Sequence, residues 1–406
     1  MDTITHMLLG AATAQLAFRQ RLGRGATWAA VVAAVAPDLD ILSGPVLRVL
    51  GIDTGGGNHL VVHRGLSHSL LMAPVIALPI AAAWWKLRRR RARREAADAI
   101  SDVPGNGVPQ PAQGKPCPQN PAPGREHGLP ATRGARRSGT LSGRAPSPAS
   151  FRLLYACVLV AGLTHPLLDW GTAYGTGLLA PITDTRYALS CVPIIDIFYT
   201  PMLALTLLAC WLVRKASRGE ARRATLVIGW AGFLLSLGYL VTGAVLRDRA
   251  IDMARALPGG APILRADAYP ALGSIFVWRT VVETDGRWIT ARIRPLSRGA
   301  PPRQESAARQ NSPWIKKARE MPDVRGYAWF AMGVVRATEA DRDGRHVVEF
   351  HDMRYGPRPE SIDSMWPLRV AFDKQGRPLS AETHPPTAAS NRWRILKETW
   401  SDLWEP

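Results

Sequence analysis

Only four of the 406 residues are cysteine, Cys117, Cys157, Cys191 and Cys210, and no two of them form a CxxC pair. A disulfide framework and the paired-thiol metal and redox motifs are therefore not expected. Cys157 and Cys210 lie inside apolar runs, where a thiol acts as a small hydrophobe. The chain also lacks GxSxG, P-loop and GxGxxG signatures, and nothing in it is as specific as HExxH. Acidic residues are scarce as well: 32 Asp and Glu face 51 Lys and Arg, a formal net charge of +19. Most of that excess sits beside apolar segments or in a Pro/Gly-rich insert, the pattern of a cytoplasmic membrane face. No zinc-finger, RRM or helix-turn-helix spacing accompanies it, so nucleic acid is not an expected partner. The acidic start MDTITH has no basic n-region and no small-residue cleavage site, so the first segment is expected to be retained.

Hydrophobic residues make up 47% of the chain and are unevenly spread. Residues 224–246 are continuous, uncharged and long enough to cross a bilayer. Residues 66–85, with Pro74 and Pro79 as kinks that membrane helices tolerate, form a second candidate, and residues 153–170 and 192–213 a third and fourth. Two shorter apolar segments, 4–18 and 26–37, precede them; at 1.5 Å per residue each covers roughly 20 Å of a core of about 30 Å. Whether these two fully span is left open. The expected fold is a membrane α-helical bundle of about four to six segments, followed by a β-rich extramembrane C-terminal domain.

Basic stretches at 19–24, 86–94 and 214–223 all fall between apolar segments. The positive-inside rule assigns them to the cytoplasm, so the N-terminus, residues 38–65, the loop at 171–191 and everything after 247 are expected on the periplasmic side. Four regions result. Residues 1–87 hold the first membrane segments, and residues 88–150 form a Pro/Gly/Arg-rich cytoplasmic loop too poor in apolar residues to order itself. Residues 151–247 return to the membrane. Residues 248–406 carry alternating strands, beginning with a hairpin around Asp285-Gly286. Trp278, Trp288, Trp314, Trp329 and Trp366 suit the core or a docking face of that last region.

The chemistry-bearing residues fall at the predicted outer ends of the apolar segments. His165 and Asp169, four apart, share one helix face; ionisable groups inside a membrane helix are costly and point to function, the bland alternative being a polar pair that steadies the bundle. Asp2 and His6 repeat the spacing, although an acid at a helix start is favourable without any ligand. Asp38 and Asp40 follow the helix-ending Pro37 and suit either one or two cations or a simple cap. His63 and His68 flank Arg64, whose guanidinium suits an oxyanion or an aspartate, with Ser67 as a candidate cap. Asp196 is a further candidate ligand. The expected metal set is thus Asp2, His6, Asp38, Asp40, His63, His68, His165, Asp169 and Asp196, with Asp40, Arg64 and Asp169 as candidate catalytic groups. Mixed nitrogen and oxygen ligation favours zinc, with manganese or iron as alternatives, over calcium.

Five strings, MDTITH at the start, APDLD at 36–40, HRGLSHS at 63–69, THPLLDWGTAYGT at 164–176 and IIDIFYTP at 194–201, resemble those of the LexA-regulated, YdjM-like membrane-bound metal-dependent hydrolases. The resemblance covers residues 1–201, in order, and implies a multi-pass bacterial inner-membrane protein whose motif His and Asp residues hold a divalent metal. It supplies no substrate, and the insert at 88–150 departs from the compact family pattern. The expected activity is hydrolysis by a metal-activated water, and a site at the membrane face suggests a lipid or an envelope-linked ester or phosphoester. Two other classes compete: a membrane transporter or ion-binding protein, and a non-catalytic envelope scaffold. Protein partners and oligomeric state are not legible.

Overall fold

The protein's structure, a computed structural model, describes residues 1–42, 64–101, 148–217, 222–297, 302–342, 344–373 and 375–383. The N-terminal part is helical. Helices α1 (Thr3–Ala17), α2 (Arg19–Leu22) and α3 (Gly25–Val35) come first, and a 3-10 segment, Ala36–Leu42, follows. After a 3-10 turn at Leu66–His68 come α4 (Ala73–Ser101), α5 (Pro148–Trp170), α6 (Tyr199–Ala216) and α7 (Arg222–Arg255).

Small residues let these helices approach. In α1 a Cβ at Gly10 would lie 2.6 Å from that of Ala34, and α3 turns a fully buried row of Ala26, Ala29, Ala30 and Ala34 to its neighbours. In α7 the buried positions include Thr225, Gly229, Gly232, Ser236 and Gly243, and a side chain at Gly232 would collide with Thr206 of α6. Van der Waals contact between small-residue faces drives helix association where no water is available to be expelled. The other face of α7 is apolar and uncovered: Val227, Leu234, Leu235 and Val245 are each at least 59% exposed, which suits contact with lipid.

Two described helices are long and apolar enough to cross a membrane, Ser150–Trp170 within α5 and Arg222–Arg255. Helix α1 has 15 residues and α3 has 11, so at 1.5 Å per residue they reach about 22 and 16 Å. The helix expected from residue 66 begins only at Ala73, because residues 66–72 form the 3-10 turn and further turns that carry His68 and Ser69. Pro74 then sits in the first turn, where its missing N–H is not needed. At its other end α4 runs through the arginine stretch to Ser101, so residues 88–101 are helical rather than part of a loop. Arginine is a good helix former, and Arg89 covers the Trp85 ring at 4.6 Å. Residues 102–147 lie outside the described residues.

Chain direction alternates down the bundle. The starts of α1, α4 and α6 and the ends of α3 and α5 gather at one pole, whereas the basic residues after α1, late in α4, at the end of α6 (Arg214, Lys215) and at the start of α7 (Arg222, Arg223) fall at the other.

Beyond residue 255 the chain forms two four-stranded antiparallel sheets. The first holds β1 (Ile263–Pro270), β2 (Trp278–Thr284), β3 (Arg287–Ile293) and β4 (Arg303–Ala308), and the second β5 (Val335–Arg342), β6 (Arg345–Asp352), β7 (Leu368–Phe372) and β8 (Pro378–Thr383). Short helices α8 (Pro313–Arg319) and α9 (Pro322–Phe330) connect them. The Asp285-Gly286 turn closes the β2–β3 hairpin, where Glu283 pairs with Trp288. Trp278 and Trp288 enter the core.

This β-rich region docks on the pole opposite the basic stretches. The last turns of α7 bury Ala250, Ile251 and Ala254 against Ala268, Trp278 and Val282. Trp329 donates its indole N–H to the Asp184 carbonyl at 2.8 Å, and Arg354 donates to the carbonyls of Ala173 and Tyr174 at 3.0 and 3.1 Å. The segment after α5 is therefore held between the bundle and the sheets.

Candidate metal centre

Each element delivers one or two polar groups to that pole. The 3-10 geometry after Pro37 turns Asp38 and Asp40 toward His68, so that one carboxylate meets each ring nitrogen: Asp38 Oδ1 lies 3.6 Å from Nε2 and Asp40 Oδ2 3.4 Å from Nδ1. Helix α5 brings in His165 and Asp169, one turn apart, and both are fully buried. His165 Nε2 lies 3.3 Å from Asp38 Oδ1 and 3.4 Å from Asp169 Oδ2. Helix α1 adds His6, whose ring stacks on His165 with centroids 3.7 Å apart and whose Nε2 lies 3.2 Å from Asp169 Oδ1. The Met1 amine also pairs with Asp169.

Tautomers sharpen the picture. His165 Nδ1 sits 2.6 Å from the Ala34 carbonyl, which accepts only, so Nδ1 carries a proton and donates it. A neutral His165 therefore presents a lone pair at Nε2. On His68, Asp40 is the acceptor beside Nδ1, and the Ser67 hydroxyl at 2.9 Å from the same nitrogen donates to Asp40 at 2.6 Å. This leaves His68 Nε2 facing His165 Nε2 at 3.0 Å, with carboxylate oxygens of Asp38 and Asp169 around both. Two imidazole lone pairs and acceptor-only oxygens cannot satisfy one another; a cation or an added proton must complete the set.

The separations fit a metal. A tetrahedral site with bonds of about 2.0–2.1 Å has ligand–ligand edges of about 3.3–3.4 Å, and the pairs here span 3.0 to 3.6 Å. Two overlapping triads are able to hold a metal ion, His6–His165–Asp169 and Asp38–His68–His165, and His165 belongs to both.

Arg64 is fixed from several sides. Its Nε lies 3.1 Å from Asp169 Oδ2, its Nη1 donates to the Thr172 hydroxyl at 2.7 Å, and its guanidinium covers the Tyr174 ring at 4.6 Å. Its backbone adopts φ 61°, a left-handed conformation uncommon for a side-chain-bearing residue, and its N–H donates to Asp40 at 3.2 Å. Backbone strain of this kind collects at functional sites. Farther out, Arg186 stacks near Tyr174 and Trp329, and burial first, then the Arg354 and Arg64 charges, hold its pKa down at about 10.

His6, Asp38, Asp40, Arg64, His68, His165 and Asp169 thus come together as expected. His63 lies outside the described residues. The structure places Asp2 and Asp196 at helix starts, Asp2 as the N-cap of α1 and Asp196 just ahead of α6. Asp2 accepts from the Thr5 amide at 3.0 Å and its hydroxyl at 2.5 Å. Asp196 accepts from the amides of Phe198 and Tyr199 and the Tyr239 hydroxyl, each at 2.8 Å, so its oxygens serve α6 and α7 rather than the cluster. Asp40 meets the outer nitrogen of His68, the position of a group that orients a ligand. Sequence reasoning missed Thr3, which donates to Asp38 at 2.9 Å, and Thr172 beneath Arg64. Both lie within the motif strings, which was their only signal.

The family model described as YdjM inner membrane protein matches residues 1–248, which contain every residue of this cluster. No curated protein and no solved structure matches the chain.

Proposed function

We propose that this chain, which belongs to the YdjM inner membrane protein family, is a metal-dependent hydrolase acting on an ester or phosphoester of a lipid or envelope component. The observation that carries the reading is the facing pair of imidazole nitrogens, 3.0 Å apart among carboxylate oxygens at the buried end of three helices. His6, Asp38, His68, His165 and Asp169 hold one or two divalent ions, zinc first by the mixed nitrogen and oxygen donors, then manganese or iron. A bound ion of this kind supplies Lewis acidity and makes water a nucleophile near neutral pH.

The chain's own groups do the rest. Asp40 takes the Nδ1 proton of His68 as a hydrogen bond and fixes that ring's orientation, aided by Ser67. The Ala34 carbonyl does the same for His165. Arg64, steadied by Asp169, Thr172 and Tyr174, places positive charge where an ester or phosphoryl oxygen gains negative charge. The basic stretches gather at the pole remote from the cluster, which supports a periplasmic site and C-terminal region under the positive-inside rule. The same alternation of helices supports four to six membrane segments, with α4 and α6 joining the two clear spans and α1 and α3 inserted partway.

The test uses full-length protein purified in detergent. Metal content is measured on wild type and His165→Ala, and hydrolysis is assayed on phospholipid and lysophospholipid substrates. The proposal expects bound divalent metal, loss of metal and turnover together in the variant, and loss of turnover on chelation that metal restores. Turnover that survives chelation contradicts it. Metal flux into liposomes without turnover would favour transport instead.

A further inference from the structure

A second site lies beyond the metal cluster, where the β-rich region meets the segment between α5 and α6. A cavity of about 290 Å³ opens there, at the small end of the range for small-molecule sites. Its wall is mostly apolar, with Ile195, Leu272, Val277 and Met365 among the lining residues. Three lining residues carry donors that find no acceptor among the described residues: Arg279 Nη2, Tyr355 Oη and Trp366 Nε1. Buried donors are rarely left unpaired, and each deserves a physical reason.

Arg279 is the centre of the argument. It is 3% exposed, and its remaining nitrogens donate only to main-chain carbonyls, those of Met353, Arg358, Pro359 and Ser361 at 2.6 to 3.2 Å. Carbonyl oxygens satisfy its hydrogens but not its charge, and among the described residues no carboxylate stands within 4.0 Å of it. Burial accordingly pushes its pKa down to about 10. Its neighbour in the lining, Arg354, shows the contrast, because both oxygens of buried Asp352 hold that guanidinium. The chain also makes room for Arg279: a Cβ at Gly356 would collide with its Nη1. Asp352, Glu305 and Glu360 act on it only from farther away, and a buried cation without a carboxylate in contact is expensive unless a negative partner joins it.

The surroundings say what carries that negative charge. Ile195 and Phe198, at the start of α6, and Phe276, beside β2, are 48%, 37% and 37% exposed, and the two phenylalanine rings meet edge to face at 5.6 Å. The cavity thus lies beside exposed apolar side chains, next to the first turn of a helix that enters the bundle. We propose that it binds an anionic single-chain amphiphile, with a carboxylate or phosphate monoester on Arg279, Tyr355 and Trp366 and an acyl chain along the apolar wall. None of the proposed metal ligands lines this cavity, and binding there does not depend on hydrolysis.

The test is native mass spectrometry on the full-length protein in detergent, with lysophosphatidate, monoolein and inorganic phosphate as probes. Lysophosphatidate is expected to bind one per chain. Monoolein, with chain but no charge, is expected to bind at least about tenfold more weakly, and inorganic phosphate, with charge but no chain, is expected not to be retained. Tyr355→Phe and Trp366→Leu each remove one donor and leave an apolar group, and each is expected to weaken lysophosphatidate by about tenfold, the loss of one hydrogen bond to a charged group. Arg279→Gln is expected to abolish binding; because it also strips carbonyl partners, the two milder variants decide the matter if it does not fold. Binding is expected to persist in His165→Ala and in chelator. Equal binding of monoolein, retention of phosphate alone, no effect of either donor variant, or loss of binding in His165→Ala would each overturn the proposal.

Discussion

Two buried polar clusters invite comparison, the one around Asp169 in the helical region and the one around Asp352 in the β-rich region. Both carboxylates are fully buried, and both face a guanidinium. Asp352 and Arg354 form a closed pair: two parallel hydrogen bonds at 2.9 and 2.7 Å join them, and the remaining Arg354 donors reach the carbonyls of Ala173 and Tyr174. Asp169 instead stands among His6, His68 and His165, and the Nε2 atoms of His68 and His165 face each other at 3.0 Å. A closed pair stabilises and orients, and here it clamps the sheets onto the bundle. An open set of lone pairs is able to take up a cation or a proton. Burial and the carboxylate–guanidinium contact are alike in the two clusters, and it is the balance of donors against acceptors that separates structure from a candidate site.

That contrast is broken most directly at the shared ligand. His165→Ala is expected to lower metal affinity by more than about 100-fold, beyond the 10–100-fold usual for an orienting partner, with the sheets still folded by circular dichroism. Arg354→Met should do the reverse. It leaves the buried Asp352 charge unpaired, a loss of about 3–5 kcal/mol, read as a lower unfolding midpoint of the β-rich region with bound metal retained. Asp40→Asn keeps all the proposed ligands but weakens the acceptor that orients His68, and is expected to cost about 10–100-fold in metal affinity. If it leaves affinity unchanged, Asp40 has no orienting role.

Two smaller effects sharpen the regional difference. Gly243→Ala would drive a methyl into the Cys191 carbonyl, an overpacking loss of about 1–3 kcal/mol, measured as a lower thermal midpoint in detergent. In the β-rich region, burial first, then the nearby Arg336, Arg369 and Arg342, hold the His351 pKa down to about 3 from 6.5. The unfolded chain therefore binds that proton more readily. The stability His351 contributes is present above pH 6.5 and is lost as pH falls toward 3, by at most about 1.4 kcal/mol per pH unit. Unfolding midpoints measured from pH 7 to pH 4 should fall with acidity in wild type and fall less steeply in His351→Gln.

Much of this was legible in the sequence, for definite reasons. The four-residue spacing of His165 and Asp169 fixes a shared helix face, and the basic stretches fix which ends of the segments meet. Together these suffice to predict that Asp38, His68 and His165 converge although they are far apart along the chain. The hairpin at Asp285-Gly286 was legible because a two-residue turn between alternating strands is a local signal. What escaped depends on context. An aspartate before a helix reads the same as ligand or as cap, and only the Thr5 hydrogen bonds assign Asp2. Asp196 likewise needed Tyr239, which arrives from a different helix. The arginine run after residue 86 was read from its charge, whereas its helix propensity carries α4 on to Ser101. The left-handed turn at Arg64 has no signal in an Arg-Gly pair, and Arg279 became noticeable only when the fold buried it with main-chain carbonyls as its hydrogen-bond partners.

Metal stoichiometry of the full-length protein, purified from cells and titrated with zinc, tests the central claim most directly. The account predicts at least one tightly held divalent ion per chain in wild type and in the capping variant Asp2→Asn, and none in His165→Ala. Wild-type protein that holds no ion after zinc supplementation, or His165→Ala protein that holds as much as wild type, would contradict it.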